Sequence, residues 1–468
     1  MEQCQDVCFI PPPPDVAVTS APTARKNPFV LLWQDITTFF SMIYLLPKIM
    51  YPFFTDKPGD ELYLGGKNIF YLALLALVTI LSGIFTIILL PAAVILPGIA
   101  TFSLAALGYG TIYWLCYPIK GPMVVESSPD ILRYGEAERW KDEKWIFVNG
   151  TLVTNHCLQE NCNRISRTFG RPITGLHNPT LGLIGDITEC IIQRSFSYNT
   201  YCTRYTYDYV KARLADPGVK KVVLLGHSQG GIEISMVLDL LFADMPVENI
   251  SKLEVYTFGC AASHFNNPLR AIEPNSQTAR ARVIPYMEHY ANSDDLVTRW
   301  GVLYNVCTAP TNSFMGKIFV RRNATGHLLN QHYLSNMFPL PGEKPDSTDG
   351  TSFLDQVADV YEKLTLRRKR LAMTNCPPVR QTPRHPYGSF TGSNDLEQLN
   401  PASDVLDLDD GSSGFRFVTR GRQISEGGQP LKPNKNGHMP SGRTVRELSR
   451  LWRYMGGMDP DRQGLLPL

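Results

Sequence analysis

Gly226-His227-Ser228-Gln229-Gly230 forms a G-x-S-x-G pattern, a spacing that can turn a serine hydroxyl into a nucleophile. The serine must sit on a strained strand-to-helix turn, and the flanking glycines let the two backbones cross closely. The run Lys221–Leu225 predicts the incoming strand. Gly230–Phe242, with apolar residues at 232, 236, 237, 240 and 241, predicts the outgoing helix. The Gln229 N–H, at the start of that helix, would face an oxyanion on the attacked carbonyl. A glycine-rich turn in an unrelated α/β domain would spell the same five residues.

Acyl transfer needs three further groups, in the chain order serine, acid, histidine. A second oxyanion donor is expected after an upstream strand. Phe147-Val148-Asn149-Gly150-Thr151 fits, with the Thr151 N–H as the donor. The strand predicted over Val283–Tyr290 leads into Asn292-Ser293-Asp294-Asp295-Leu296-Val297, where Asp295 is the expected acid and Asp294 the alternate. The strand predicted over Lys317–Val320 leads to Gly326-His327-Leu328. His327 on that loop is the expected base, and His332, one turn later, is the alternate. His227 reads as a packing residue.

The elements that must position these groups alternate between strand and helix. Strands are predicted at Trp145–Val148, Pro172–Leu176 and Leu253–Phe258, and helices at His156–Phe169 and Thr203–Ala215. Such alternation implies an α/β fold with a mostly parallel sheet and helices on both faces, over residues 130–374. An amphipathic helix over Phe353–Leu371, ending in Arg367-Arg368-Lys369-Arg370, is expected to close the domain. The segment Asn178–Asn199 is either a lid facing an acyl chain or a core helix.

Outside this region the composition changes. Residues 1–28 are proline-rich and polar and read as disordered. Residues 29–54 are aromatic but interrupted by Asp35, Pro47 and Lys48, which suits an interfacial or re-entrant helix. Residues 68–119 carry no Asp, Glu, Lys or Arg, and the runs Ile69–Leu90 and Ala92–Cys116 are each long enough to cross a bilayer. They read as a two-helix transmembrane hairpin joined near Pro91, Pro97 and Gly98. Basic flanks (Lys48, Lys57 and Lys67; Lys120, Arg133 and Arg139) put both ends, and the domain that follows, on the cytosolic side. A glycan on the Asn149 sequon would block the site, in keeping with that side. Residues 375–468 read as mostly disordered, except for a short amphipathic helix over Thr444–Met455.

The net charge of +2, from 45 basic and 43 acidic residues, gives no reason to expect a nucleic-acid partner. The ten cysteines show no metal-ligand spacing, so no metal or cofactor is expected. The expected partners are a lipid bilayer and a lipid or acyl-ester substrate.

In these residues the chain resembles the α/β-hydrolase superfamily, and within it the class 3 lipases. Val223–Gly231 is similar to their V-x-G-H-S-L-G-G, Val255-Tyr256-Thr257-Phe258-Gly259 to their V-Y-T-F-G strand, and Asn292–Val297 to their N-x-x-D-x-V segment. The last match favours Asp295 as the acid. Gln229 stands where those lipases carry Leu and Thr298 where they carry Pro, and Cys260-Ala261-Ala262 replaces a proline-rich continuation. Uncharacterised fungal membrane-anchored hydrolases look most similar overall. With the apolar hairpin and the ordered serine, acid and histidine, the expectation is a membrane-anchored serine hydrolase of the lipase or carboxylesterase type, with a Ser228, His327 and Asp295 triad acting on an ester; the fungal likeness itself implies no substrate. The same triad would serve an acyltransferase or thioesterase, and a silent scaffold on the same fold is the remaining alternative.

Overall fold

The computed structural model describes residues 7–13, 27–132, 135–270, 281–308, 314–343, 351–360 and 442–461. Nine strands form one sheet: β1 (Val7–Ile10), β2 (Val124–Glu126), β3 (Glu143–Val148), β4 (Ile173–Leu176), β5 (Lys221–His227), β6 (Leu253–Phe258), β7 (Tyr286–Asn292), β8 (Lys317–Arg321) and β9 (Ala358–Val360). Their order is β2-β4-β3-β5-β6-β7-β8-β1-β9. The six from β4 to β8 run parallel, β2 is antiparallel to β4, and β1 is antiparallel to β8. This is the mostly parallel α/β sheet that the strand–helix alternation implies.

Both faces are covered, so the central strands are apolar at nearly every position rather than alternating. On one face Phe9, Phe319, Tyr290 and Phe258 form a row of rings 5.2–5.4 Å apart. Helix α4 (Asn155–Phe169) packs there through Leu158, Ile165 and Phe169. Helices α6 (Tyr201–Ala215) and α7 (Gln229–Asp244) cover the other face.

Before the sheet's second strand the chain forms α1 (Pro28–Ser41), a 3₁₀ helix over Ile43–Met50 bent 63° from it, α2 (Gly66–Ile95) and α3 (Gly98–Leu115). By length and composition, α2 and α3 are apolar enough to cross a membrane. Pro91 lies inside α2, and the break falls at Leu96-Pro97. Between β4 and α6 lies α5 (Gly182–Phe196), within the segment read as lid or core.

Three tertiary features depart from the sequence reading. Val7–Ile10, inside the stretch read as disordered, is the fully covered strand β1 between β8 and β9. Four apolar residues suffice because both neighbours supply hydrogen bonds and cover. The helix expected over 353–371 is, in its described part, a short turn (Phe353–Asp355) followed by β9, since pairing with β1 outweighs helical period. The rest of that helix, with Arg367–Arg370, lies outside the described residues, as do 375–441 and 462–468.

The third departure is the segment 442–461, which packs across the sheet's amino-terminal edge. Its expected helix is a single turn, Val445–Leu448, started by a Thr444–Glu447 capping box. A 3₁₀ turn, Leu451–Gly457, follows. Val445, Leu451 and Tyr454 are fully buried, and the Tyr454 ring meets Trp145 edge-on at 4.9 Å. Two carboxylates at the strand starts find their partners in this segment. Glu254 accepts from Arg450 Nη2 at 2.8 Å and Tyr454 Oη at 2.9 Å, and Glu288 accepts from the N–H of Arg450 at 2.7 Å. Buried charges need such partners. Arg450→Ala strands Glu254 without its cation and should cost about 3–5 kcal/mol, lowering Tm by roughly 10 °C. A shift of about 1 °C in calorimetry would show that the segment is not part of the cooperative fold.

Candidate active site

β5 ends at His227 and α7 begins at Gln229, leaving Ser228 alone at the turn with φ 56° and ψ −121°. A left-handed φ is strained for serine and is held only by what surrounds it. Its N–H donates to Phe258 O at 3.1 Å, and its carbonyl accepts from Gly231 at 3.0 Å and Ala261 at 3.2 Å. The glycines of the motif have a direct steric cause. A Cβ on Gly230 would lie 2.2 Å from Val148 O, and one on Gly226 2.5 Å from Ile234 Cδ1.

The loop after β3 packs straight onto the serine, since a Cβ at Gly150 would fall 2.4 Å from Ser228 Cβ. Asn149 is fully buried and pins this loop to Asn178 in both directions. Its Oδ1 accepts from the Asn178 N–H at 2.7 Å and its Nδ2 donates to the Asn178 carbonyl at 3.1 Å. There is no room for a glycan on it. Asp186 of α5 fixes the other end, accepting from the Leu152 N–H at 2.8 Å, the Thr180 hydroxyl at 2.7 Å and the Leu181 N–H at 2.7 Å. The hydrogen bonds among the described residues leave the N–H groups of Thr151 and Gln229 unspent.

The base and acid expected from the chain order meet. His327 Nδ1 lies 2.6 Å from Asp295 Oδ2. A carboxylate only accepts, so Nδ1 carries the proton and Nε2 is left as the acceptor. Nε2 is buried and has no hydrogen-bond partner among the described residues. Asp295 is fully buried. Its Oδ2 also accepts from Tyr333 Oη at 2.7 Å, and its Oδ1 from the Val297 N–H at 2.8 Å. Burial and the neighbouring carboxylate push the Tyr333 phenol well above its usual range, which keeps it a donor.

The His327 ring lies over the elbow. It sits 4.7 Å from the His227 ring, and a Cβ on Gly259 would approach its Cε1 to 2.8 Å. His227 Nε2 donates to the His327 carbonyl at 2.7 Å. Burial, then the charge of His327, holds the His227 imidazole well below the histidine range, so it stays a neutral donor. The alternates are placed elsewhere. His332 lies in a π-helical turn (Leu329–Leu334) and accepts the Leu328 N–H at 3.0 Å. Asp294 faces Arg299 at 3.5 Å.

Residues outside any motif, from the segment that precedes α2, hold the histidine loop. The carbonyls of Lys48 and Ile49 accept from the N–H groups of Gly326 at 3.1 Å and His327 at 2.8 Å. Glu61 accepts from the N–H groups of Asn330 at 2.7 Å and Gln331 at 3.0 Å. Lys48, Ile49, Glu61 and Asp186 were not legible in sequence because they act through backbone groups of other segments, and Tyr333 because its phenol reaches Asp295 only across the fold. No set of three His, Cys, Asp or Glu side chains among the described residues is placed to hold a metal.

No family model matches the chain, and no curated protein does. Among solved structures it is similar to an α/β serine hydrolase without a lid from Xanthomonas campestris. That likeness is 11% identical, covers 44% of this chain and 82% of that one, and has a TM-score of 0.24. It is too slight to carry an argument, and the site rests on its own geometry.

Two outcomes are expected. His327→Ala should cut turnover by about 10⁴-fold, while His332→Ala should leave it within a few-fold. The reverse pattern in steady-state kinetics would transfer the base to His332. Burial raises the Glu61 carboxyl to about 7 from 4.5. The folded chain therefore keeps a proton there that the unfolded chain has lost. This contribution is full below a pH of about 4.5 and lost as pH rises through about 7. Glu61→Gln should flatten the decline of Tm between pH 4.5 and about 7, and parallel Tm curves for the two proteins would contradict this assignment.

Proposed function

We propose that the chain is a membrane-anchored serine hydrolase that cleaves an ester of a lipid or other acyl substrate. The observation that carries this reading is the 2.6 Å contact of His327 with Asp295 beside the left-handed turn at Ser228. In the proposed reaction Ser228 Oγ attacks the ester carbonyl and its proton passes to His327 Nε2. Asp295, held in place by the Tyr333 hydroxyl and the Val297 N–H that donate to it, balances the charge on the imidazolium. The N–H groups of Gln229 and Thr151 receive the oxyanion. The carbon–oxygen bond then breaks, the departing alkoxide takes the proton from His327, and the acyl group stays on Ser228. Water, deprotonated by the same Nε2, releases the acid.

Strand pairing supports the anchor's topology. β1 precedes the apolar hairpin and β2–β9 follow it, yet all nine strands share one sheet. A sheet lies on one side of a bilayer, so the chain between Ile10 and Val124 must cross an even number of times. Two crossings, by α2 and α3, satisfy this; a third by α1 and the 43–50 helix would not. Those two helices belong at the interface, with Lys48, Lys57, Lys67 and Lys120 toward the cytosol.

A fluorophosphonate probe tests the chemistry. The folded wild type should label and Ser228→Ala should not. Absence of wild-type labelling would remove the catalytic reading.

A further inference from the structure

The hairpin and the catalytic domain overlap along the membrane normal. About 20 helical residues are needed to cross a hydrocarbon core. Counted back from Ile95, the end of α2, that stretch reaches Ala76; counted on from Gly98, the start of α3, it reaches Tyr117. The rings of Tyr113, Trp114 and Tyr117 are exposed at this level, where an interfacial belt belongs. Lys120 lies just past Tyr117 and Lys67 well before Ala76.

Yet α2 touches the catalytic domain below that boundary. Val78 is fully buried and Ser82 nearly so, and both close on Gly182 of α5, where an added Cβ would lie 3.2 Å from Val78 Cγ1 and 3.4 Å from Ser82 Oγ. Only Gly83–Ile95 extends past this contact, about 20 Å of helix against about 30 Å of hydrocarbon. If the hairpin spans, the start of α5 sits up to about 9 Å inside the core.

The surface around that contact has the composition such a position requires. Phe29, Trp33 and Phe40 of α1 are 70%, 69% and 59% exposed, and Ile192 and Phe196 of α5 are about 40% exposed. Phe29 and Phe196 meet edge-on at 5.8 Å, joining the two helices into one apolar face. The single charge within α1, Asp35, is turned inward onto Arg194 at 2.8 Å. Arg194 is itself buried and also donates to the carbonyls of Ala261 and Trp300. Helix α1 therefore presents no uncompensated charge to lipid.

This face is also the active-site end of the molecule. α5 carries Asp186, which holds the Gly150 loop, and Gln193, which accepts from Gln229 Nε2 at 3.0 Å. Ser228 and His327 are only 3% and 6% exposed. We propose that the α1–α5 face is seated in the hydrocarbon boundary of a lipid bilayer and that the ester reaches Ser228 from the lipid phase. The substrate is then a bilayer-resident lipid ester, not a water-soluble one. The seating stands without catalysis, whereas the substrate class rests on the hydrolase reading above.

The full chain in phosphatidylcholine vesicles with brominated acyl chains tests the seating. Trp33 emission, read as the difference between wild type and Trp33→Phe, should be quenched at least two-fold. A difference emission that the brominated lipid leaves unquenched would overturn the seating whether or not the protein is an enzyme. Trp33→Asp then tests the route. Turnover of a long-chain ester embedded in vesicles should fall at least ten-fold, while that of p-nitrophenyl acetate changes less than two-fold. An equal fall for both substrates, or none for either, would overturn it.

Discussion

The contact between Asp295 and His327 is where the constraints of this fold converge. A fully buried carboxylate is tolerable only with donors around it, and here the imidazole, a phenol and a backbone N–H supply them. Each donor comes from a different segment, so the pair forms only when β7, the loop after β8 and the π-helical turn are all in place. His227 then fixes the carbonyl of the same histidine, and the carbonyls of Lys48 and Ile49 fix its N–H and that of Gly326. The imidazole is oriented from both sides, and among the described residues its Nε2 has no hydrogen-bond partner.

The two ends of the sheet are held by different chemistry. At the carboxyl end, backbone N–H groups and carbonyls dominate, and the positions of Gly150, Gly226 and Gly230 are dictated by close approach. At the amino end, buried acids set the terms. Glu254 and Glu288 are answered by Arg450, Ser449 and Tyr454, all from a segment that returns far along the chain. Strand β1 likewise returns from before the apolar hairpin. The sheet is thus completed by both ends of the sequence, which ties the orientation of the apolar segments to the domain instead of leaving them a loose tether.

Sequence by itself determined the local features. The strand and helix around Ser228 follow from β-branched runs, helical period and glycine placement over about twenty residues. The chain order placed Asp295 and His327 on the loops after their strands, and the uncharged stretch identified the apolar hairpin. Only the tertiary structure decided the rest. It set the His327 ring against Asp295, while the His332 ring accepts the Leu328 N–H inside a turn. It made Val7–Ile10 a strand and 442–461 a clasp, because four apolar residues or one arginine gain their meaning from partners hundreds of positions away. It also set α5 against α2, which no spacing in the chain encodes. Short-range pattern records what a segment can form; burial and pairing across the chain settle what it does form.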